Sequence, residues 1–455
     1  MRYLNDISLT RHPITSGYSI RKLLYQRWFV VVLALILTGL GAALTGVLFK
    51  SGIHTLDSWR LELLEILPAW FILPLLGGIG GLISATIISK FAPAAGGSGV
   101  TQIINYLRHK EVPMGLNVGI GKLVAGIIAI GSGFPLGPEG PAVQMGGSVA
   151  WKMAQWLKAP VAFRRVIVAA GSGAGIAAVF SAPIGGFIYA IEELLNSSRP
   201  VILLLVIVTT FWADTWANIL QGQGFNLDID FPVTINLLPI DFAYLIFLGI
   251  VVGLLAQLYS QYVLFMQRLG NDWFKQRFVL RMTISGIILG SIFSFLPSEF
   301  HHVGELKKLI VLGDGNIGLA IGTFVVLFFT TGLAAASGAP GGLFFPMLIL
   351  GGCIGSACGT WVEMLTGHFP TTYTLAGMGA FVAACTRTPI SAMFLAFAPT
   401  KNLLILKPVL LACIASFLIA RLFNAKSIYE RQIELENETE DKGPAPGSQS
   451  LATTP

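Results

Sequence analysis

The chain has 455 residues, of which 54% are hydrophobic and 11% charged, less than half the charged share of a soluble globular domain, roughly 25%. That composition excludes an ordinary soluble fold. The net charge of +6 is scattered over short loops without a basic stripe interleaved with aromatics, so nucleic acid is not an expected partner.

Residues 1–27 carry Arg2, Arg11, Arg21, Lys22 and Arg27 against Asp6, and the positive-inside rule assigns this N-terminal segment to the cytoplasm. The charge-free windows 28–49, 66–89 and 242–267 are each long enough to span a hydrocarbon core, which takes about 20 helical residues. The window at 28–49 exceeds a signal-peptide core and has no convincing cleavage site, so it is expected to stay as a span. Long uniform apolar runs do not suit the alternating strands of a membrane β-barrel. The expected fold class is an all-α polytopic membrane protein embedded in a lipid bilayer.

Further along, SGFPLGPEGPAVQMGG at 132–147 is repeated as SGAPGGLFFPMLILGG at 337–352, matching Ser132 with Ser337, Gly137 with Gly342, Pro141 with Pro346 and Gly146 with Gly351. AGSGAGIAAVFSAPI at 170–184 is repeated as AGMGAFVAACTRTPI at 376–390, matching Gly171 with Gly377 and Pro183 with Pro389. Two ordered blocks at nearly one offset divide the chain into a first membrane repeat at 28–220 and a second at 240–429. The linker at 221–239 holds Asp228 and Asp230 but no Lys or Arg, which suits an extracellular loop. The polar segment 430–455 reads as a disordered tail.

Duplicated halves with Gly/Pro-interrupted apolar segments point to a transporter with its binding site near the midplane. Irregular backbone at that depth is tolerated only where it is buried in protein or lines a cavity. Pro138 or Pro141, and Pro346, suit the first turn of helices beginning at the breaks. Such helix ends present unpaired N–H groups and about half a positive charge, an anion site without a cation. Residues 96–103 and 340–347 contain no Lys or Arg, which favours an anion that is released over one that is trapped. Glu139, Glu192 and Glu193 lie in or beside apolar sequence, where an ionised acid costs about 2.5–3.5 kcal/mol. They are therefore functional candidates; the competing role is helix capping for Glu139, and a place at a cytoplasmic edge close to Arg199 for Glu192 and Glu193. Lys122 and Arg387 fit charge balance better than substrate contact. Cys353, Cys358, Cys385 and Cys413 lack paired spacing and read as buried free thiols, and the six histidines lack metal-ligand spacing. No enzyme, metal site or cofactor is expected.

The motifs GSG at 97–99, GPEGP at 137–141, GLFFP at 342–346 and the late Tyr429, in this order and with the repeat, resemble those of the CLC family of chloride channels and chloride/proton antiporters, over about residues 19–432. The resemblance implies two inverted-topology repeats with broken, tilted helices, both termini cytoplasmic, and a homodimer with one anion pathway per subunit. It implies that the Ser98 and Tyr429 hydroxyls and the N–H groups of Leu343 and Phe344 bind the central anion. Glu139 is implied as gate and outer proton acceptor and Glu193 as inner proton-transfer acid, with Gly140 and Glu192 as secondary candidates. Chloride and protons are the implied substrates, and chloride/proton exchange the implied activity, with a passive chloride channel as the alternative. Two departures mark this chain: Pro138 replaces the arginine of the usual GREGP, removing a charge and a donor, and the usual GSGIP reads GSGVT, with Val100 and Thr101. The ending at residue 455, without a pair of regulatory nucleotide-binding domains, leads to the expectation of a prokaryotic inner membrane protein.

Overall fold

The computed structural model describes residues 17–197, 199–221, 239–274, 277–301, 317–367, 372–398, 400 and 402–441. The expected linker at 221–239 and the last part of the tail, 442–455, lie almost wholly outside these residues. So do Arg2, Asp6, Arg11, Asp228 and Asp230.

Helices dominate the described residues, and eight of them are long and apolar enough to cross a membrane. Helix α1, Gly17–Ile66, starts upstream of the expected first span and runs well beyond it. The window at 66–89 does not form a single helix from its first residue, because Pro68 stands at the N-cap of α2, Ala69–Phe91, and proline restricts its predecessor to extended backbone. Then follow α3, Val100–Leu107, α4, Leu116–Gly131, α5, Glu139–Trp156, α6, Val161–Phe180, and α7, Pro183–Tyr189, which continues as a π-helical turn, Ala190–Leu195. Helix α8, Pro200–Gln221, closes the first half. The second half comprises α9, Pro239–Phe274, α10, Phe278–Ser294, α11, Ile317–Ser337, α12, Phe344–Thr366, α13, Thr372–Thr386, α14, Pro389–Phe397, and α15, Leu406–Phe423. A last helix, α16, Ile428–Asp441, corrects the expectation of disorder from residue 430 onward.

The repeat seen in the sequence is a repeat of packing. A Cβ on Gly146 would collide with the Gly171 carbonyl, and one on Gly351 with the Gly377 carbonyl; these are the paired glycines of the two blocks. In each half, α5 against α6 and α12 against α13, small residues let backbones approach closely, the usual means of holding helices together in lipid. The halves meet at Gly137 and Gly342, which form an isolated antiparallel bridge. Each donates its N–H to the other's carbonyl at 2.8 Å. A residue paired reciprocally and antiparallel with its own repeat equivalent lies on the two-fold axis relating the halves. The inverted topology therefore passes through this bridge.

The bridge also sets the helix starts. Two residues beyond it, α5 begins at Glu139 and α12 at Phe344, so two N-termini from opposite halves converge. Pro141 and Pro346 both occupy the third helical position, where no intrahelical N–H bond exists to be lost. Pro138 is the N-cap of α5, outside the helix proper. The four cysteines are free, with Cys353, Cys385 and Cys413 buried and Cys358 partly so.

Candidate functional site

The converging ends enclose a cavity of about 10 Å³, close to the smallest volume that admits one water. Its lining includes Glu139, Phe344, Tyr429, Tyr189, Phe180 and Val100. Glu139 is 3% exposed, and its Oε1 accepts the N–H of Phe344 at 2.6 Å. The carboxylate of one half thus caps the first turn of α12, whose N-cap residue Leu343 supplies no side-chain acceptor. Charge-assisted bonds of this kind are worth about 1.5–3 kcal/mol, with a further contribution from the helix dipole. The other oxygen, Oε2, is buried without a hydrogen-bond partner among the described residues. The carboxylate thus holds a helix N-terminus with one oxygen and leaves the other unpartnered among the described residues.

Ser98 approaches from a third element. It stands between Gly97 and Gly99, with φ of 66° and 97°, a left-handed region that glycine enters without the strain a side chain brings. Gly97 donates its N–H to the Gly338 carbonyl at 2.9 Å, tying this loop to the break in the second half. A Cβ placed on Gly140 would lie 3.0 Å from both Ser98 Oγ and Gly342 Cα, so Gly140 is the close-packing point between the serine loop and the bridge. Ser98 Oγ is buried and has no partner among the described residues. Tyr429, 1% exposed, enters the same cavity from the start of α16.

Glu193 stands apart from this cluster. It follows cavity-lining Tyr189 by about one turn, on the π-helical segment, and lies near Ser427, Glu430, Glu192 and Arg108. Glu192 is engaged elsewhere: its carboxylate accepts the Ser391 N–H at 2.7 Å, the Ser391 hydroxyl at 2.6 Å and the Ile390 N–H at 3.3 Å. It caps the N-terminus of α14 across the interface between the halves. Leu343 is buried at the start of α12, outside the cavity lining.

The two cations embedded in apolar sequence, Lys122 and Arg387, act on backbone. Lys122 is fully buried and donates to the carbonyls of Ala95 at 3.0 Å, Gly96 at 3.5 Å and Gly97 at 2.6 Å, holding the strand of chain that leads to Ser98. Arg387 donates to the carbonyls of Ala420 at 3.1 Å and Asn424 at 2.9 Å, at the C-terminal end of α15, where a cation complements the exposed carbonyls. Sequence reasoning did not single out Tyr189 and Phe180. An aromatic in an apolar helix carries no signal of the direction it faces. The Phe180 and Phe344 rings lie 6.4 Å apart and form part of the cavity wall.

These features define an integral membrane protein built as an inverted repeat, with two helix N-termini and the Ser98 and Tyr429 side chains gathered near the bridge between its halves. Residues 80–421 match the family described as voltage gated chloride channel, and the chain belongs to that family. It is 29% identical to the H(+)/Cl(-) exchange transporter ClcA of Vibrio cholerae, over 89% of each chain. It is 30% identical to the protein of that name from Cronobacter sakazakii, over 88% of each. Among solved structures it resembles a slow cyanobacterial Cl-/H+ antiporter, with a TM-score of 0.82 and 27% identity, covering 90% of this chain and 99% of the other.

Proposed function

We propose that this protein exchanges chloride for protons across a membrane. The observation that carries the reading is the Glu139 carboxylate held on the Phe344 N–H at the start of α12. An acid that sits on a helix-end donor competes with a diffusing anion for the same place. When Glu139 takes a proton it loses the charge that held it there, and chloride replaces it between the α12 N-terminus and the hydroxyls of Ser98 and Tyr429. When chloride leaves, the carboxylate gives up its proton and returns. One site thus alternates between the Glu139 carboxylate and chloride, and each exchange puts a proton on Glu139 or takes it off, which couples the two fluxes without a metal or cofactor.

Glu193 supplies the inner end of the proton route. It lies about one turn beyond cavity-lining Tyr189 on the continuation of α7, which fixes the inner acid at a short, set distance from the cavity that Glu139 lines. The scarcity of cations at the anion site keeps binding weak enough for turnover. The named activities of the Vibrio, Cronobacter and cyanobacterial relatives agree with this reading. A homodimer with one pathway in each subunit, a prokaryotic inner membrane and cytoplasmic termini complete the proposal. The basic residues of the N-terminal 27 support that orientation.

Purified protein in liposomes with an imposed chloride gradient tests the function. Exchange predicts protons pumped against their own gradient, abolished in Glu193→Ala while chloride continues to move. Chloride flux without proton movement in the unmutated protein would replace the exchanger by a passive channel of the same fold.

A further inference from the structure

The acidic helix α16 enters the alternation of Glu139 and chloride only through Tyr429, which it carries into the cavity. Its start is defined by a reciprocal capping box: Glu430 N–H donates to Ser427 Oγ, and Ser427 N–H donates to Glu430 Oε2, both at 3.2 Å. Ile428, Tyr429, Gln432, Ile433 and Leu435 are buried, so one face of the helix is docked, while Glu434, Glu436 and Glu438 are exposed. What it docks against is α3, the helix that begins just after Ser98, and α9. Val100, the first residue of α3, is itself a cavity wall. Two sides of the anion site, one led by Ser98 and Val100 and the other by Tyr429, therefore belong to two helices packed together outside the site.

Polar ties lace these helices. Thr101 Oγ1, on a residue 2% exposed, stands 3.3 Å from Glu436 Oε1 and 3.0 Å from Gln102 Oε1. Arg108 pairs with Glu430, and Lys110 Nζ donates to Asn437 Oδ1 at 2.8 Å. On the other flank, Gln432 Nε2 donates to Gln267 Oε1 at 3.2 Å and Arg268 lies 3.5 Å from Glu438. Thr101 occupies the position of the proline in the usual GSGIP, and a proline there could offer Glu436 no donor. The departure in the serine motif and the acid on the terminal helix meet at one contact.

We propose that α16 is a strap that fixes the spacing between the Tyr429 and Ser98 hydroxyls, with Thr101 and Glu436 as the positioning pair nearest the site. Arg108 and Glu430 also lie near Glu193, which Arg108 attracts and Glu430 repels, so changes at that pair would disturb the inner acid as well as the strap. Thr101 acts on the anion site through α3, and Glu436 lies in addition near Lys122, whose ammonium holds the carbonyls that lead to Ser98. The strap rests on the proposed function only in requiring that chloride binds between Ser98 and Tyr429, whether or not protons are exchanged for it.

The test is a double-mutant cycle on chloride affinity, read by calorimetric titration of the full-length protein with chloride and by flux into liposomes over a range of chloride concentrations. Thr101→Val and Glu436→Ala are each expected to weaken chloride binding roughly 1.5- to 5-fold, the span of a contact worth about 0.2–1 kcal/mol, with the flux at saturating chloride unchanged. The double variant is expected to be no weaker than the worse single one, as coupled partners require. Glu436→Gln, which keeps an acceptor, is expected to restore the affinity. Unchanged affinity in both single variants, or a double variant whose loss is the product of the two, would overturn the strap. Chloride flux uncoupled from protons in the unmutated protein would overturn exchange and leave this measurement standing, and unmutated protein that binds no chloride would remove both.

Discussion

Glu139 is held by opposed effects. Burial in the membrane penalises its charge by about 2.5–3.5 kcal/mol on insertion scales, while the Phe344 N–H at 2.6 Å and the α12 dipole return a large part of that. A group so balanced changes state with small changes in its surroundings, which is what a gate driven by protons and chloride requires. Glu139→Ala is expected to abolish uphill proton pumping while chloride flux persists as an ungated leak, because the helix-end donors remain and their internal competitor is gone. Simultaneous proton and chloride recordings in liposomes check this, and retained coupling would move the gate to another residue. Lys122 shows the opposite use of a charge. Its Nζ is spent on the Ala95, Gly96 and Gly97 carbonyls, so it shapes the approach to Ser98 through backbone.

At the scale of elements, the sequence was most legible where chain direction changes abruptly. The glycines and prolines of 132–147 and 337–352 mark breaks because only those residues make tight turns and helix starts inside an apolar run, and the structure puts Gly137 against Gly342 there. Helix α16 was illegible for the opposite reason. Averaged over 430–455, its composition is acidic and polar, and such a helix owes its stability to docking more than to propensity. The local signature was nonetheless present as Ser427 and Glu430 spaced for a capping box. The two adjacent acids Glu192 and Glu193 could not be separated by sequence alone, since their roles depend on which way a π-helical turn faces each. Glu192 faces the N-terminus of α14 and holds three donors there. Its removal is expected to destabilise the protein by about 0.5–2 kcal/mol, the usual worth of a helix cap, and to leave uphill proton pumping in place. Thermal unfolding in detergent paired with the liposome assay decides this: proton pumping lost in Glu192→Ala at unchanged melting temperature would make Glu192 a proton carrier instead.

For the whole molecule, the inverted repeat explains how the proposed anion site is assembled without cations. A two-fold axis through the Gly137 and Gly342 bridge brings the starts of α5 and α12 to the same point from opposite sides, and no single bundle of parallel or antiparallel full-length spans would aim two N-termini at the midplane. Every group assigned to the pathway, Ser98, Glu139, Glu193, Phe344 and Tyr429, comes from one chain. Under the proposed homodimer, each subunit is then expected to work as an independent pathway. Heterodimers of one unmutated and one Glu139→Ala subunit, isolated through two different affinity tags, are therefore expected to pump protons at about half the rate of unmutated dimers while carrying the chloride leak of the altered subunit. Proton pumping that disappears altogether in the heterodimer would mean that the gates are coupled across the interface, and that the axis within one chain does not mark the boundary of the working unit.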